Sequence, residues 1–276
     1  MSDQTSFLSR RSLLLSWPLL MAPSIGAAEP GVQQGSPASA AAGGVGESFP
    51  TQNQDLVKEM VTVAHGNVAR VKELVGRHQT LAKAAYDWGF GDWESALGAA
   101  SHVGNREIAE FLLANGARPS IFSAAMLGQL DVVKAFVAAS PGVQRIKGPH
   151  SITLLRHASA GGAQAKPVLE YLTALGGADE RPTETPLSEA ERTALIGAYP
   201  FGSSASDRME ISVSRDTLQI GRPGHVVRGL MHLGALEFCP VGAENVRIRF
   251  EKTSAGVLLS IHDPDVVLKA KRVSGA

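Results

Sequence analysis

One segment of this 276-residue chain is written three times over, and that repetition constrains the core its first half can have. Gly104-Asn105-Arg106-Glu107-Ile108-Ala109-Glu110-Phe111-Leu112-Leu113-Ala114-Asn115-Gly116-Ala117 recurs as Gly66-Asn67-Val68-Ala69-Arg70-Val71-Lys72-Glu73-Leu74-Val75 and as Gly128-Gln129-Leu130-Asp131-Val132-Val133-Lys134-Ala135-Phe136-Val137. A looser fourth copy runs from Gly162 through Val168, Leu169 and Leu172 to Gly177-Ala178. Apolar residues within a copy fall three and four apart, as at Ile108, Phe111 and Leu112, which sets them on one helical face. Small residues precede the second and third copies, in Ala96-Leu97-Gly98-Ala99-Ala100-Ser101 and Phe122-Ser123-Ala124-Ala125-Met126-Leu127, and small side chains let neighbouring helices approach closely. A helix-turn-helix unit of this kind covers its apolar face by stacking on the next unit. Residues 53–182 are therefore expected to form a stacked repeat array.

Trp93-Glu94-Ser95-Ala96-Leu97-Gly98-Ala99-Ala100 through Gly116-Ala117 resembles an ankyrin repeat. Its second half, with Leu-Leu and Gly-Ala, keeps that family's pattern, while Glu94-Ser95-Ala96-Leu97 replaces the family's Thr-Pro-Leu-His opening. Equivalent glycines at 66, 104, 128 and 162 stand 38, 24 and 34 residues apart, against a family period of about 33. The first connection is thus long and the next very short. The whole run, including Trp88-Gly89-Phe90-Gly91-Asp92-Trp93 and Gly148-Pro149-His150-Ser151-Ile152-Thr153-Leu154-Leu155, is similar to a group of exported bacterial ankyrin-repeat proteins. The resemblance implies a scaffold for protein-protein interaction. Aromatic residues are 5% of the chain, yet Tyr86, Trp88, Phe90 and Trp93 fall together in the long connection, where ankyrin-type proteins project a finger toward partners. As contact anchors on a stiff scaffold, these four are the candidate binding residues. The competing expectation is that they fill an irregular repeat junction.

After Arg181-Pro182-Thr183-Glu184-Thr185-Pro186 the apolar period changes. Ser188 with Glu191 three residues on has capping-box spacing and predicts a short helix ending near Gly197. Then Met209, Ile211 and Val213, next Leu218 and Ile220, later Val246, Ile248 and Phe250, and finally Val257, Leu259 and Ile261 alternate with polar neighbours. Period two over short runs joined by tight turns predicts an antiparallel sheet with one buried face. About seven strands in residues 183–276 predict a small barrel or strongly curled sheet, which also hides edges. The fold class is accordingly α+β and multidomain. Leu195-Ile196-Gly197-Ala198-Tyr199 resembles the entry to the β-domain appended to many exported bacterial serine hydrolases, a resemblance that implies no activity of its own.

Residues 1–28 have the form of a signal peptide, with Arg10-Arg11 ahead of an apolar stretch from Leu13 to Ile25 and the small residues Gly26-Ala27-Ala28. The arginine pair resembles a twin-arginine export signal; an ordinary secretory signal is the alternative. About 13 apolar residues are too few for a hydrocarbon core that needs roughly 20. Residues 29–52, dominated by Ala, Gly, Ser and Pro, predict a flexible linker. The expected location is periplasmic or secreted.

The 26 basic and 26 acidic residues become 24 and 25 once Arg10, Arg11 and Asp3 leave with the signal. A chain so near neutrality has no charge field for a phosphate backbone, so nucleic acid is an unsuitable partner. Nothing in the mature sequence points to membrane insertion, and the sequence is silent on oligomeric state. The single cysteine, Cys239, excludes an intramolecular disulfide and a multi-thiolate zinc site, and reads as a small buried residue.

No Ser-x-x-Lys, Gly-x-Ser-x-Gly, His-Glu-x-x-His or phosphate loop is present. His65, His78 and His102 lie near helix ends of the repeats and are expected to cap or bridge loops. His150 and His157 are seven apart around a helix start without an adjacent carboxylate, and His262, Asp263 and Asp265 fit a turn at a strand end. Catalytic residues, metal ligands and cofactors are therefore expected to be none. The expected function is a non-enzymatic binding or scaffold protein whose partner is another protein. The alternative is a small-ligand-binding or hydrolase-associated module that uses the C-terminal β-domain.

Overall fold

The computed structural model describes residues 48–263 and 266–273. The signal peptide, nearly all of the linker, and Asp265 lie outside the described residues.

Residues 54–175 form four consecutive helix pairs: α1 (Gln54–Val63) with α2 (Val68–Arg77), α3 (Ala96–His102) with α4 (Arg106–Ala114), α5 (Ile121–Met126) with α6 (Leu130–Ala139), and α7 (Leu154–Ala160) with α8 (Lys166–Leu175). The second helix of each pair is a written-out copy of the repeated segment. Along the series α1 packs on α3, α3 on α5 and α5 on α7, while α2 packs on α4 and α6 on α8. Small residues explain the close inner stack, since Ala96, Gly98, Ala99, Ala100 and Ser101 of α3 are all buried. Polar caps start the helices: Asn67 and Asn105 accept from the N–H groups of Arg70 and Ile108, and Ser95, Ser120 and Thr153 do the same for α3, α5 and α7. Gly104 and Gly128, equivalent in the repeat, both sit at φ +76°, and a Cβ on either would collide with a backbone carbonyl, of Ala160 or of Gln164. The turn thus demands glycine twice over.

Two apolar clusters run through these pairs in place of one. Met60, Leu74, Leu97, Ile108 and Leu112 anchor the first, and Ile121, Val133, Leu154, Val168 and Leu172 the second. The long connection between α2 and α3 folds into a two-stranded hairpin, β1 (Ala85–Asp87) against β2 (Trp93–Ser95), with Tyr86 opposite Glu94.

Helix α9 (Glu189–Leu195) follows with the expected capping box, Ser188 and Glu191 bonding reciprocally. Beyond it come β3 (Gly197–Pro200), β4 (Arg208–Ser214), β5 (Thr217–Gly221), β6 (Arg228–Gly234), β7 (Glu237–Pro240), β8 (Arg247–Thr253), β9 (Gly256–Asp263) and β10 (Val266–Lys271). They form one antiparallel meander in sequence order, and β10 returns to β3, where the Val273 N–H donates to Ala198 O at 3.1 Å. The sheet is nearly closed and barrel-like. Its interior is filled: Tyr199, Phe238 and Phe250 meet edge to face among Leu195, Ile248 and Leu259, and Tyr199 donates to Leu195 O at 2.7 Å. Cys239 is buried, as expected. Val213, placed by alternation with the buried residues, is instead 40% exposed at the end of β4, where a hairpin turn at Arg215 and Asp216 carries the strand off the core.

Helices and sheet meet through Lys147 with Glu244, through Asp92 with Arg228 at 2.6 Å, and through Phe90, which packs on the sheet core. No helix among the described residues is long and apolar enough to cross a membrane.

Candidate metal centre

Alternation along β2 is the first element of the site. Asp92 and Glu94 point inward, with exposures of 4% and 0%, while Trp93 between them is 63% exposed. Two carboxylates are thereby carried into the foot of the hairpin. His102, the last residue of α3, and His65, just past the end of α1, come to the same point, because α1 packs on α3. The fourth member, His150, arrives from the turn before α7 with a left-handed backbone, φ 57° and ψ 26°. That conformation is costly for a residue with a Cβ. Asp92 holds it in place, Oδ1 accepting from the His150 backbone N–H at 2.9 Å and Oδ2 from its Nδ1–H at 2.7 Å.

One donor atom from each of His65, Glu94, His102 and His150 lies within 4.8 Å of the others. His102 Nε2 is 2.8 Å from Glu94 Oε1 and 3.1 Å from His65 Nε2; His65 Nε2 is 3.6 Å from Glu94 Oε1, and His150 Nε2 is 3.3 Å from Glu94 Oε2. Four donors at bonds of about 2.0–2.1 Å in a tetrahedron have edges of roughly 3.3 Å. The measured spacings of 2.8–3.6 Å lie around that edge, with His65 and His102 facing one oxygen of Glu94 and His150 the other.

Hydrogen positions follow from the partners. His65 Nδ1 faces the carbonyls of Val61 and Thr62 at 3.2 and 3.0 Å, and a carbonyl can only accept, so the proton sits on Nδ1 and Nε2 presents a lone pair. His150 is arranged alike, its Nδ1–H on Asp92. Trp88 Nε1 donates to Glu94 Oε2 at 2.8 Å and fixes the carboxylate. Beyond Asp92 stands Arg228, itself anchored on Val241 O. Outer hydrogen bonds that set tautomer and orientation in this way are what a metal-binding imidazole requires.

Charge is concentrated here as well. Burial alone would raise the Glu94 carboxyl, but hydrogen bonds from His102 and His150 outweigh it and hold the group down at about 2. Asp92 also lies below its ordinary value, burial being outweighed by His150 and Arg228. The hydrogen bond to Asp92, with that to Glu94, pushes His150 up to about 9. A positive charge is favoured at this point, and either a second proton on His150 or a metal ion can supply it. His157, packed beside the cluster, contributes no donor atom; burial pushes it down to about 4, its Nδ1 bonds Thr153 O, and its buried Nε2 has no partner.

The residues expected from sequence to touch a partner are divided by the hairpin. Tyr86 and Trp88 pack on the first helical cluster and Phe90 on the sheet core, while Trp93 faces solvent. His78 ends α2 and is exposed, and His262 contacts Ser260 Oγ. His65 does bond the end of its helix, as expected of a capping residue, with its other nitrogen turned to the cluster. Glu94, Asp92 and Arg228 were not among the expected site residues. Their available trace was the Asp-Trp-Glu alternation, together with a histidine one or two positions before two of the repeat glycines. No protein-family model matches the chain, and no curated protein is significantly similar to it in sequence.

Proposed function

We propose that this chain is an exported, non-enzymatic binding protein of ankyrin type that holds one divalent transition-metal ion, with zinc the best fit, through His65, Glu94, His102 and His150. The observation that carries the reading is the convergence of three imidazole nitrogens and one fully buried carboxylate within 4.8 Å of one another. Imidazole and carboxylate donors suit zinc, copper, nickel or iron, and a tetrahedral arrangement favours zinc. Four protein donors leave no open position for a reacting water, which supports a holding role over hydrolysis. The ion would fasten the hairpin that presents Trp93, and Trp93 is the exposed anchor offered to a protein partner. The packed sheet interior favours this reading over a ligand held inside the β-domain.

Metal analysis of the purified full-length chain after equilibration with zinc is expected to give one ion per chain. His102→Ala and Glu94→Gln should each lose it, and cobalt substitution should give the intense visible bands of a tetrahedral site. Unchanged zinc content in both variants would sink the proposal and leave the cluster held by a proton on His150.

A further inference from the structure

None of the eight paired helices packs extensively on a strand of the sheet, so the seam between them is made by loops. The helical side contributes the hairpin, with Phe90 and Asp92, and the turn that runs from Lys147 to Ser151; the sheet side contributes Arg228 at the start of β6 and the loop that follows β7. Cavities of about 840 and 370 Å³ open beside this contact, and apolar packing does not fill it. Among the described residues the ion pairs across the seam are Lys147 with Glu244 and Asp92 with Arg228. The second is buried, and the sheet is shaped around it. Gly242 stands at φ +90°, and a Cβ there would lie 2.7 Å from both Asp92 Oδ2 and Arg228 Nη1.

Backbone strain gathers on the helical side of the same seam. Phe90, His150 and Ser151 are non-glycine residues with φ of 57–58°, a conformation that persists only where the surroundings over-determine it. For His150 those surroundings are Asp92, which accepts from its backbone N–H and from its ring. Asp92 is in turn the one carboxylate at ion-pair distance from Arg228 among the described residues. A single side chain therefore serves a proposed metal donor and the sheet at once. Whatever fixes His150 also fixes Asp92, and a fixed Asp92 is the counter-charge without which a buried guanidinium is strongly destabilising.

Resting on the metal reading above, we propose that occupancy of the metal site and docking of the sheet on the helical pairs are coupled through Asp92 and Arg228. An ion on His65, Glu94, His102 and His150 locks the strained turn, and the locked turn holds Arg228 and the loop around Gly242. Linkage makes the coupling mutual, so a docked sheet raises the affinity for the ion and loss of the ion loosens the seam.

Hydrogen exchange of the full-length protein, followed by mass spectrometry with saturating zinc and with a chelator, tests the coupling. Zinc is expected to slow exchange across residues 240–246 by about fivefold or more, while β8 and β9 exchange alike in both samples and so mark an intact sheet. Arg228→Met should remove that slowing and lower zinc affinity, measured by chelator competition, by about tenfold or more; Arg228→Lys should recover part of both. One zinc bound per chain with exchange across 240–246 unchanged would overturn the coupling and leave the metal reading standing. An Arg228→Met chain that binds zinc as the parent does, with β8 and β9 still protected, would overturn it as well. Failure of the parent chain to bind zinc would sink both readings. Should the variant sheet unfold, the unaltered chain with and without zinc decides.

Discussion

The sheet and the helical pairs solve the burial problem in opposite ways. At the centre of the sheet's core, burial is apolar and aromatic, with Tyr199, Phe238 and Phe250 locked together and the Tyr199 phenol satisfied by one carbonyl. Beside the helices, the hairpin carries in a carboxylate with no exposure at all, ringed by imidazoles. Apolar burial stabilises whatever the solution contains. A buried acid among histidines stabilises only when its charge is answered by a proton or an ion. The two regions should therefore respond to different perturbations, and each prediction below can break or sharpen that division.

The largest effect is expected in the sheet. Phe238→Ala removes a ring with 1% exposure and should cost about 3–5 kcal/mol in denaturant unfolding, with zinc content unchanged. Loss of the metal in that variant would show that the two regions are one energetic unit.

Acid should act next, and on the helices. The His157 ring is kept neutral by burial at about 4 in the fold, against 6.5 for the free group. Between those values the unfolded chain binds the extra proton, so the His157 contribution to stability is full above pH 6.5 and falls as the pH drops toward 4, by about 3 kcal/mol at most. Metal-free protein melted across that range should show the slope, and His157→Phe should flatten it. An unchanged slope in the variant would assign the acid sensitivity elsewhere.

Asp92→Asn tests the link between regions, because Asp92 touches both His150 and Arg228. Zinc affinity measured by competition with a chelator should fall about 10–100-fold, as expected for an outer-shell partner. An unaltered affinity would mean that the sheet's arginine has no bearing on the site.

The two hairpin tryptophans should differ most simply. Trp88→Ala removes a half-buried ring and the donor to Glu94, so thermal unfolding should show a loss of about 2 kcal/mol. Trp93→Ala should change stability by under about 0.5 kcal/mol while weakening a protein partner by about 2 kcal/mol. Equal losses in the two variants would remove Trp93 as a surface anchor.

What could be read in advance was local. Ser188 and Glu191 specify their capping box within four residues, and the alternation in Met209-Glu210-Ile211 or Phe250 with Ile248 needs no knowledge of distant chain. Strand β6 was harder, because Arg228 and His232 occupy inward positions where alternation calls for apolar residues. The metal donors were harder still. His65, Glu94, His102 and His150 belong to four segments, and nothing in the neighbourhood of any one marks the others. Each looks like a helix end, a strand polar residue or a turn. Proximity arises from the packing of α1 on α3, from the hairpin that carries Glu94 inward and from a left-handed turn at His150.

The strand order has a consequence for how the chain is made. Each of β3 to β10 lies beside its neighbour in sequence, so hairpin after hairpin can form as the chain emerges, by fast local pairing. The join between β10 and β3 is different, for it waits until residues 266–273 exist. During that interval β3 presents a bare row of amides and carbonyls to any other strand it meets. The hazard of misassembly is therefore concentrated in the interval when seven strands are in place and the eighth has yet to join them.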